Sequence, residues 1–236
     1  EMCIRDRPMP EDEASWKTLQ IIFATKNGNI RRNQLSDFTN IRQNGKIAMK
    51  LNENDELVSV IPCSDKDNIL LATKLGKAIR FDVNDVRVFV GRDSSGVRGI
   101  RLKPNDTVVS MSLLPDVEKR FVLSVTENGF GKRTPVEDYR MTNRGGQGVA
   151  NIECSVRNGP VVASYVTSEE NQIMLVTNSG KLIRIRVHGG EGDSIRVAGR
   201  KTQGVRLFDV DEGEKVVSVA LLAVSYTHLT LPTMVQ

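Results

Sequence analysis

The sequence predicts an all-β protein built from four repeated blades around an axis. Glycines recur along the chain at spacings of 48, 53 and 51 residues. They are Gly28, Gly76, Gly129 and Gly180. No window shows the sustained 3.6-residue apolar period of a helix. A period near 50 residues with four strands per unit is typical of propeller blades, because one such unit cannot bury both faces of its sheet alone.

Each repeat opens with a short apolar run rich in β-branched residues, which predicts its first strand. These runs are residues 20–25, 69–73, 121–126 and 173–177. The recurring glycine follows, mostly after Asn or Ser, and supplies the positive φ of a tight hairpin turn. A second strand then carries basic residues.

A second set of glycines predicts where the third strand of each repeat begins. These are Gly45, Gly96, Gly148 and Gly204, and the strands expected after the first two are 46–51 and 97–102. A polar turn leads from each to a fourth strand. The fourth strands are predicted at 57–62, 108–114, 161–167 and 216–222.

The repeats divide the chain into one partial disc with short flanks. The disc is expected over residues 18–224, with repeats at about 18–67, 68–119, 120–171 and 172–224. Residues 1–17 are interpreted as a foreign segment and linker, and 225–236 as a foreign tail. Residues 1–7 and 225–236 match no part of the repeat and resemble translated sequencing-adapter sequence, so we expect an internal fragment of a longer protein.

The charge balance suits a polyanionic partner. The net charge is +4, the first 13 residues carry −3 and the last 12 carry none, so the repeats hold +7. Cys3, Cys63 and Cys154 have no metal-ligand spacing, and the two histidines have no ligand partner at a suitable spacing. The sequence has no apolar run near 18 residues, so no membrane partner is expected.

Basic residues occupy two equivalent sets of positions. Four residues past each turn glycine lie Arg32, Arg80, Arg133 and Arg184. Near the second glycines lie Arg42, Arg92, Arg144, Arg200 and Lys201 before them, and Lys46, Arg98 and Arg206 after them. Strand alternation predicts that the first set points outward, although Arg31 and Lys132 occupy inner positions in two repeats.

These positions predict a basic band that contacts DNA phosphates with little sequence preference. Solubility alone would place acids there equally often, yet acids concentrate in the turns. Aromatic residues are only 5% of the chain, which favours duplex DNA over stacked single strands. An independent enzyme is poorly supported, because no nucleophile–base pair, paired carboxylates or phosphate loop stands out.

Five segments resemble the C-terminal domain of the DNA gyrase A subunit. They are I-R-R-N-Q-L-S-D-F (30–38), G-K-I-A-M-K-L (45–51), S-G-V-R-G-I-R-L (95–102), T-E-N-G-F-G-K-R-T-P-V-E-D-Y (126–139) and G-R-K-T-Q-G-V (199–205). The resemblance implies a β-pinwheel whose blades exchange strands and whose basic perimeter wraps double-stranded DNA. It also implies a cytoplasmic, nucleoid-associated parent of composition A2B2, containing the gyrase A N-terminal region and gyrase B, that supercoils DNA negatively using ATP and Mg²⁺. No cofactor is expected on this chain.

The same resemblance shows which parts of that family to expect elsewhere. The family's disc usually has six blades, of which this chain matches the last four, and the active-site tyrosine lies in an N-terminal region. The family's gyrase box, Q-R-R-G-G-K-G, belongs to the first blade; residues 142–148, T-N-R-G-G-Q-G, are interpreted as its degenerate repeat. The insertion at 188–193 departs from the family pattern. Two alternatives remain: the DNA-binding domain of the topoisomerase IV A subunit, and a propeller scaffold that binds proteins.

Overall fold

The computed structural model describes residues 16–38, 47–114, 120–189 and 194–222. The first and second strands of each repeat form hairpins, as predicted. The first strands are β1 (Gln20–Thr25), β4 (Asn68–Thr73), β8 (Phe121–Thr126) and β12 (Gln172–Thr177). The second strands are β2 (Asn29–Gln34), β5 (Lys77–Asp82), β9 (Phe130–Pro135) and β13 (Leu182–Arg186). All four turn glycines have positive φ, between 76° and 84°.

The fourth strands also confirm the sequence prediction. They are β3 (Leu57–Cys63), β7 (Val108–Leu114), β11 (Val161–Thr167) and β15 (Val216–Leu222). Each pairs antiparallel with the first strand of its own repeat. Fourth strands of successive repeats also pack against one another, which places them innermost around the disc axis.

The third strands are much shorter than predicted and pair with a different blade. They are β6 (Val97–Arg98), β10 (Val149–Ala150) and β14 (Val205–Arg206). The strand order β3-β1-β2-β6 shows that β6, from the second repeat, closes the sheet of the first. The next two sheets follow the same order, β10-β5-β4-β7 and β11-β8-β9-β14. The first three blades are therefore each completed by the following repeat, as the β-pinwheel resemblance implied, whereas the fourth sheet has the order β13-β12-β15 among the described residues.

The expected strand at 97–102 ends early because the chain turns over the hairpin of the preceding blade. The amides of Gly99 and Ile100 both donate to the Gly28 carbonyl, at 2.8 and 3.3 Å, so they leave the ladder. The expected strand at 46–51 lies partly outside the described residues, and 47–51 form no strand.

Alternation along the strands divides the core between neighbouring blades. Ile69 and Leu71 pack with the first blade's Ile22, whereas Leu70 and Ala72 pack on the third-blade side. Both faces of β4 are thus buried, and each fully buried Leu or Ile contributes about 1.5–3 kcal/mol. The fourth blade, at the end of the array, is less buried: Val217 on β15 is 55% exposed.

A buried polar network joins the second and third blades. The Asn151 Oδ1 atom accepts hydrogen bonds from the Tyr139 hydroxyl at 2.6 Å and the Ser124 hydroxyl at 3.1 Å. Its amide nitrogen donates to Ser164 Oγ at 2.9 Å. These polar side chains are tolerated in the core because each finds a partner.

Short 3₁₀ turns follow the second strands of the first three repeats, at Leu35–Phe38, Val83–Asp85 and Val136–Asp138. None of the helices within the described ranges is long and apolar enough to cross a membrane.

Candidate nucleic-acid interface

The outer edge of each of the first three blades is formed by the repeat that follows it. In the first blade, Val97 and Arg98 pair with the edge of β2, and Val88 makes a parallel bridge to Arg32. Met141 and Val197 make the equivalent bridges in the second and third blades. We define the outer edge of a blade as the stretch from the residue before this bridge to the short third strand. Because the fourth strands surround the axis, these edges form the rim of the disc.

The predicted outward orientation is wrong for Arg32 and Arg133. Their exposed fractions are only 5% and 4%. Arg80 is half-buried, and only Arg184 is exposed. Alternation along a strand does direct these side chains away from the inner face, but in this fold the other face is covered by the next repeat.

The buried arginines of this set hold the next repeat in place. Arg133 Nε donates to the Ile195 carbonyl at 2.7 Å, and its guanidinium lies 5.0 Å from the centroid of the Phe121 ring. Burial lowers the pKa of this guanidinium. Arg80 reaches the carbonyl of Tyr139 at 3.3 Å. These contacts give Arg133 and Arg80 a structural role between blades.

The inner cations Arg31 and Lys132 are fully buried and anchor the loops of the next repeat. Arg31 donates to the Ser94 hydroxyl at 3.1 Å and to the Gly91 carbonyl. Lys132 Nζ donates to the Gly199 carbonyl at 2.5 Å. Burial, with a smaller contribution from nearby Arg200, lowers the pKa of Lys132 to about 8.

The loop arginines before the second glycines make one repeated contact. Each donates to the carbonyl two residues past the second glycine of the preceding repeat. The three contacts are Arg92 Nη1 to Ile47 (2.7 Å), Arg144 Nη1 to Arg98 (3.1 Å) and Arg200 Nη1 to Ala150 (3.1 Å). All three side chains remain partly exposed on the rim. The corresponding Arg42, and Lys46 beside it, lie outside the described residues.

The cations at the third strands are exposed. Arg98, Lys201 and Arg206 all lie on the rim. The Arg206 guanidinium pairs with Asp209 at 2.5 Å, so part of its charge is already compensated.

A third set of rim arginines was missed by the sequence reasoning. Arg87, Arg140 and Arg196 each stand immediately before the residue that makes the parallel bridge, and all three are exposed. Arg87 lies 4.3 Å from the centroid of the Phe89 ring. The sequence does contain a regular spacing that could have identified them, because these residues precede Arg92, Arg144 and Arg200 by five, four and four positions.

Buried carboxylates of the turns have separate, structural partners. Asp55 accepts the Asn27 amide and Asp106 accepts the Leu75 amide, both at 2.9 Å. Glu214 accepts from the hydroxyls of Ser179 and Thr177, which lower its pKa to about 2. These acids cap hairpin turns. No group of three or more potential metal ligands occurs among the described residues.

The strand order of its sheets defines a strand-exchanged propeller, a β-pinwheel. A family model described as the DNA gyrase C-terminal domain, beta-propeller, matches residues 20–64, 67–115, 120–159 and 171–223. The chain belongs to this family.

Individual comparisons agree with the family match. The chain is 42% identical over 264 residues to the DNA gyrase A subunit of Rickettsia bellii, covering 92% of this chain and 29% of that protein. It therefore spans under a third of the length of this curated relative. Among solved structures, a DNA topoisomerase IV C-terminal domain superposes with a TM-score of 0.79 at 25% identity, covering 87% of this chain and 62% of that one. A DNA gyrase A C-terminal domain gives 0.76 at 27% identity, covering 88% and 67%.

Proposed function

We propose that this chain binds duplex DNA along its rim, without sequence preference, as the wrapping domain of a gyrase. The exposure of Arg87, Arg140 and Arg196 at equivalent places on three successive blades carries the proposal. Regularly spaced cations on a curved edge match a polyanion that curves around it, since each phosphate contact releases condensed counterions.

The rim offers several cations on each blade. The proposed contacts are Arg87, Arg92 and Arg98 on the first blade, Arg140 and Arg144 on the second, and Arg196, Arg200, Lys201 and Arg206 on the third. Arg184, on the fourth blade, is exposed and joins this set. Arg80 is half-buried and is expected to contribute less to DNA binding than the exposed arginines. Arg32 and Arg133 are buried beneath the following repeat and are assigned a structural role. Many contacts are needed because smooth bending of 20–30 base pairs costs about 1–6 kcal/mol.

The parent enzyme is proposed to use this wrapping for negative supercoiling. In that proposal the domain itself performs no chemistry, and ATP and Mg²⁺ act on the gyrase A N-terminal region and gyrase B of an A2B2 assembly. Support comes from the match to gyrase A relatives over most of the chain. A bacterial cytoplasmic location at the nucleoid follows from the same proposal.

Charge reversal on the rim tests the DNA-binding proposal. We expect the triple variant Arg87→Glu, Arg140→Glu, Arg196→Glu to lose at least about tenfold in duplex affinity. The slope of log K against log salt should also shrink by roughly three units, since each lost phosphate contact removes about 0.9. Fluorescence anisotropy with duplexes of unrelated sequence measures both quantities.

A matched control carries the same change in charge elsewhere. Lys66, Lys74 and Lys103 are exposed in turns away from the rim, so their reversal to Glu should weaken binding much less. Equal losses in the two triple variants would contradict a rim interface. Salt-insensitive binding, unchanged by either variant, would favour the protein-scaffold alternative.

Topoisomerase IV remains the second candidate because of the structural similarity to its C-terminal domain. The two assignments differ in wrapping. Relaxing closed circular DNA in the presence of the domain should change its linking number if the domain wraps DNA. Binding without such a change would favour the topoisomerase IV assignment.

A further inference from the structure

Three of the four Asn-Gly pairs in this chain lie in turns that the structure describes, and the fold restrains them to different degrees. They are Asn27-Gly28, Asn128-Gly129 and Asn158-Gly159; Asn44-Gly45 lies outside the described residues. Asparagine before glycine is chemically labile, because glycine has no side chain to keep its amide nitrogen away from the asparagine side chain. Which pair reacts therefore depends on how firmly the fold holds each side-chain amide.

The fold holds the side chains of Asn158 and Asn128. Asn158 is fully buried, and its Nδ2 atom donates to the carbonyls of Glu153 at 2.9 Å and Gln203 at 3.0 Å. Asn128 is half-buried, and its Nδ2 atom donates to the carbonyls of residues 156 and 157 at 3.2 and 3.1 Å. At least one of these hydrogen bonds must break before either side chain can turn toward the glycine that follows it.

The side chain of Asn27 is exposed and makes no hydrogen bond to any described residue. Its backbone amide donates to the Asp55 carboxylate at 2.9 Å, which holds the turn but not the side chain. The attacking nitrogens do not differ in this way: the amides of Gly28, Gly129 and Gly159 each donate to a backbone carbonyl, at 3.0, 3.1 and 2.8 Å. The freedom of the side-chain amide therefore distinguishes Asn27 from the other two asparagines.

We propose that Asn27 is a deamidation site, which converts in water to aspartate and isoaspartate while Asn128 and Asn158 of the same folded chain stay intact. In the first step, the Gly28 nitrogen bonds to Cγ of Asn27, the Cγ–Nδ2 bond breaks, and Nδ2 leaves as ammonia with the proton of the Gly28 amide. Water then opens the cyclic imide. Breaking the bond from nitrogen to Cγ gives aspartate, whereas breaking the bond from nitrogen to the main-chain carbonyl carbon gives isoaspartate. Neither step changes an oxidation state.

The modification acts on residues 97–100, the segment that covers the turn of the first blade. The Gly28 carbonyl accepts the amides of Gly99 and Ile100, at 2.8 and 3.3 Å. Isoaspartate lengthens the main chain of the turn immediately before this carbonyl. Either product also places a new carboxylate in contact with the turn that the buried Asp55 caps, where like charges repel. Deamidation should therefore loosen the contact of this segment with the first blade.

Peptide mapping by mass spectrometry, after incubation at mildly alkaline pH, measures the extent of deamidation at each Asn-Gly pair. In the folded chain, Asn128 should react at least about fivefold more slowly than Asn27, because at least one hydrogen bond must break first. The fully buried Asn158 should react more slowly still. In urea, where the fold no longer restrains any pair, the three asparagines should react at similar rates.

Asn27→Gln is the matched control, because the longer glutamine side chain does not close this imide ring readily. After incubation, residues 97–100 should exchange their amide hydrogens faster in the unmodified chain and at an unchanged rate in Asn27→Gln. Equal rates at Asn27 and Asn128 in the folded chain, or an Asn27 that reacts in urea but not when folded, would overturn the assignment of the site. Unchanged exchange in a fully deamidated chain would overturn its effect on the first blade.

Discussion

At the scale of single residues, the cations of this domain divide into buried anchors and solvent-exposed side chains. Lys132 and Arg133 are adjacent in sequence, and both are buried beneath the next repeat. Arg196 bonds to that same arginine only through its own backbone carbonyl, so its side chain remains in solvent. Residue type therefore does not distinguish the buried cations from the exposed ones. What distinguishes them is whether the following repeat covers the side chain.

Lys132 should make stability depend on pH in the alkaline range. Its pKa falls to about 8 in the folded protein, while an unfolded lysine titrates near 10.4. Between these values the unfolded chain binds more protons, so the free energy of unfolding contributed by this group rises with pH. Against Lys132→Met, the unmodified protein should gain up to about 1.4 kcal/mol per pH unit in that window.

Urea unfolding at intervals between pH 7 and 10.5 measures the difference between the two proteins. Lys74→Met is the matched control, because Lys74 is exposed and should leave the slope unchanged. Parallel curves for Lys132→Met and the unmodified protein would show that the buried ammonium is not desolvated as described.

At the scale of elements, the hairpin turn and the strand that covers it form one unit. A Cβ atom on Gly76 would lie 2.1 Å from the Ile152 carbonyl oxygen, and the Gly76 carbonyl accepts the amides of Asn151 and Ile152. Gly180 has a similar φ, 84° against 79°, but no atom of the described residues lies within 4 Å of a Cβ built on it.

Substituting alanine at each of these two glycines should distinguish the cost of backbone strain from the cost of displacing the strand that covers the turn. Gly180→Ala should cost only the strain of a left-handed residue, roughly 1–2 kcal/mol. Gly76→Ala should cost at least about 2 kcal/mol more, because the docked strand must move and its hydrogen bonds are lost. Denaturant titration of both variants measures this, and equal costs would refute a tight contact at Gly76.

The sequence predicted the hairpins and fourth strands well because their information is local. Apolar runs, turn glycines and β-branched residues determine β4 and β5 within about 15 residues of chain. The short third strands were overpredicted, because their pairing depends on a blade formed by a different repeat. Arg32 and Arg133 are buried, contrary to the prediction from strand alternation, because a segment from the following repeat covers them. The same pairing between repeats places Arg87, Arg140 and Arg196 at the rim, which a search within one repeat does not detect.

At the scale of the whole molecule, order should decrease from the central blades toward the fourth. Both faces of β4 and β8 are buried, and the second strand beside each pairs with the following repeat, whereas β13 has no strand on its outer side among the described residues. Local opening free energies follow such differences in burial and hydrogen bonding.

Native-state hydrogen exchange should show this gradient directly. Peptides covering 172–186 should exchange through openings at least about 1 kcal/mol lower in free energy than those covering 68–82. A uniform opening energy across the four blades would show that the disc unfolds as one unit despite its uncovered edge.

The exchange of strands also has a consequence for synthesis on the ribosome. β2 ends at Gln34, but the strand that completes its sheet begins only at Val97. At translation rates of about 5–20 residues per second, a nascent first blade waits several seconds with its outer ladder open. The second and third blades also wait for a strand from the following repeat. The blade synthesised most recently is therefore the one that lacks its outer strand. Pauses in translation within a repeat therefore prolong the exposure of the blade before it, and this is when a nascent chain is most open to mispairing with its neighbours on a polysome.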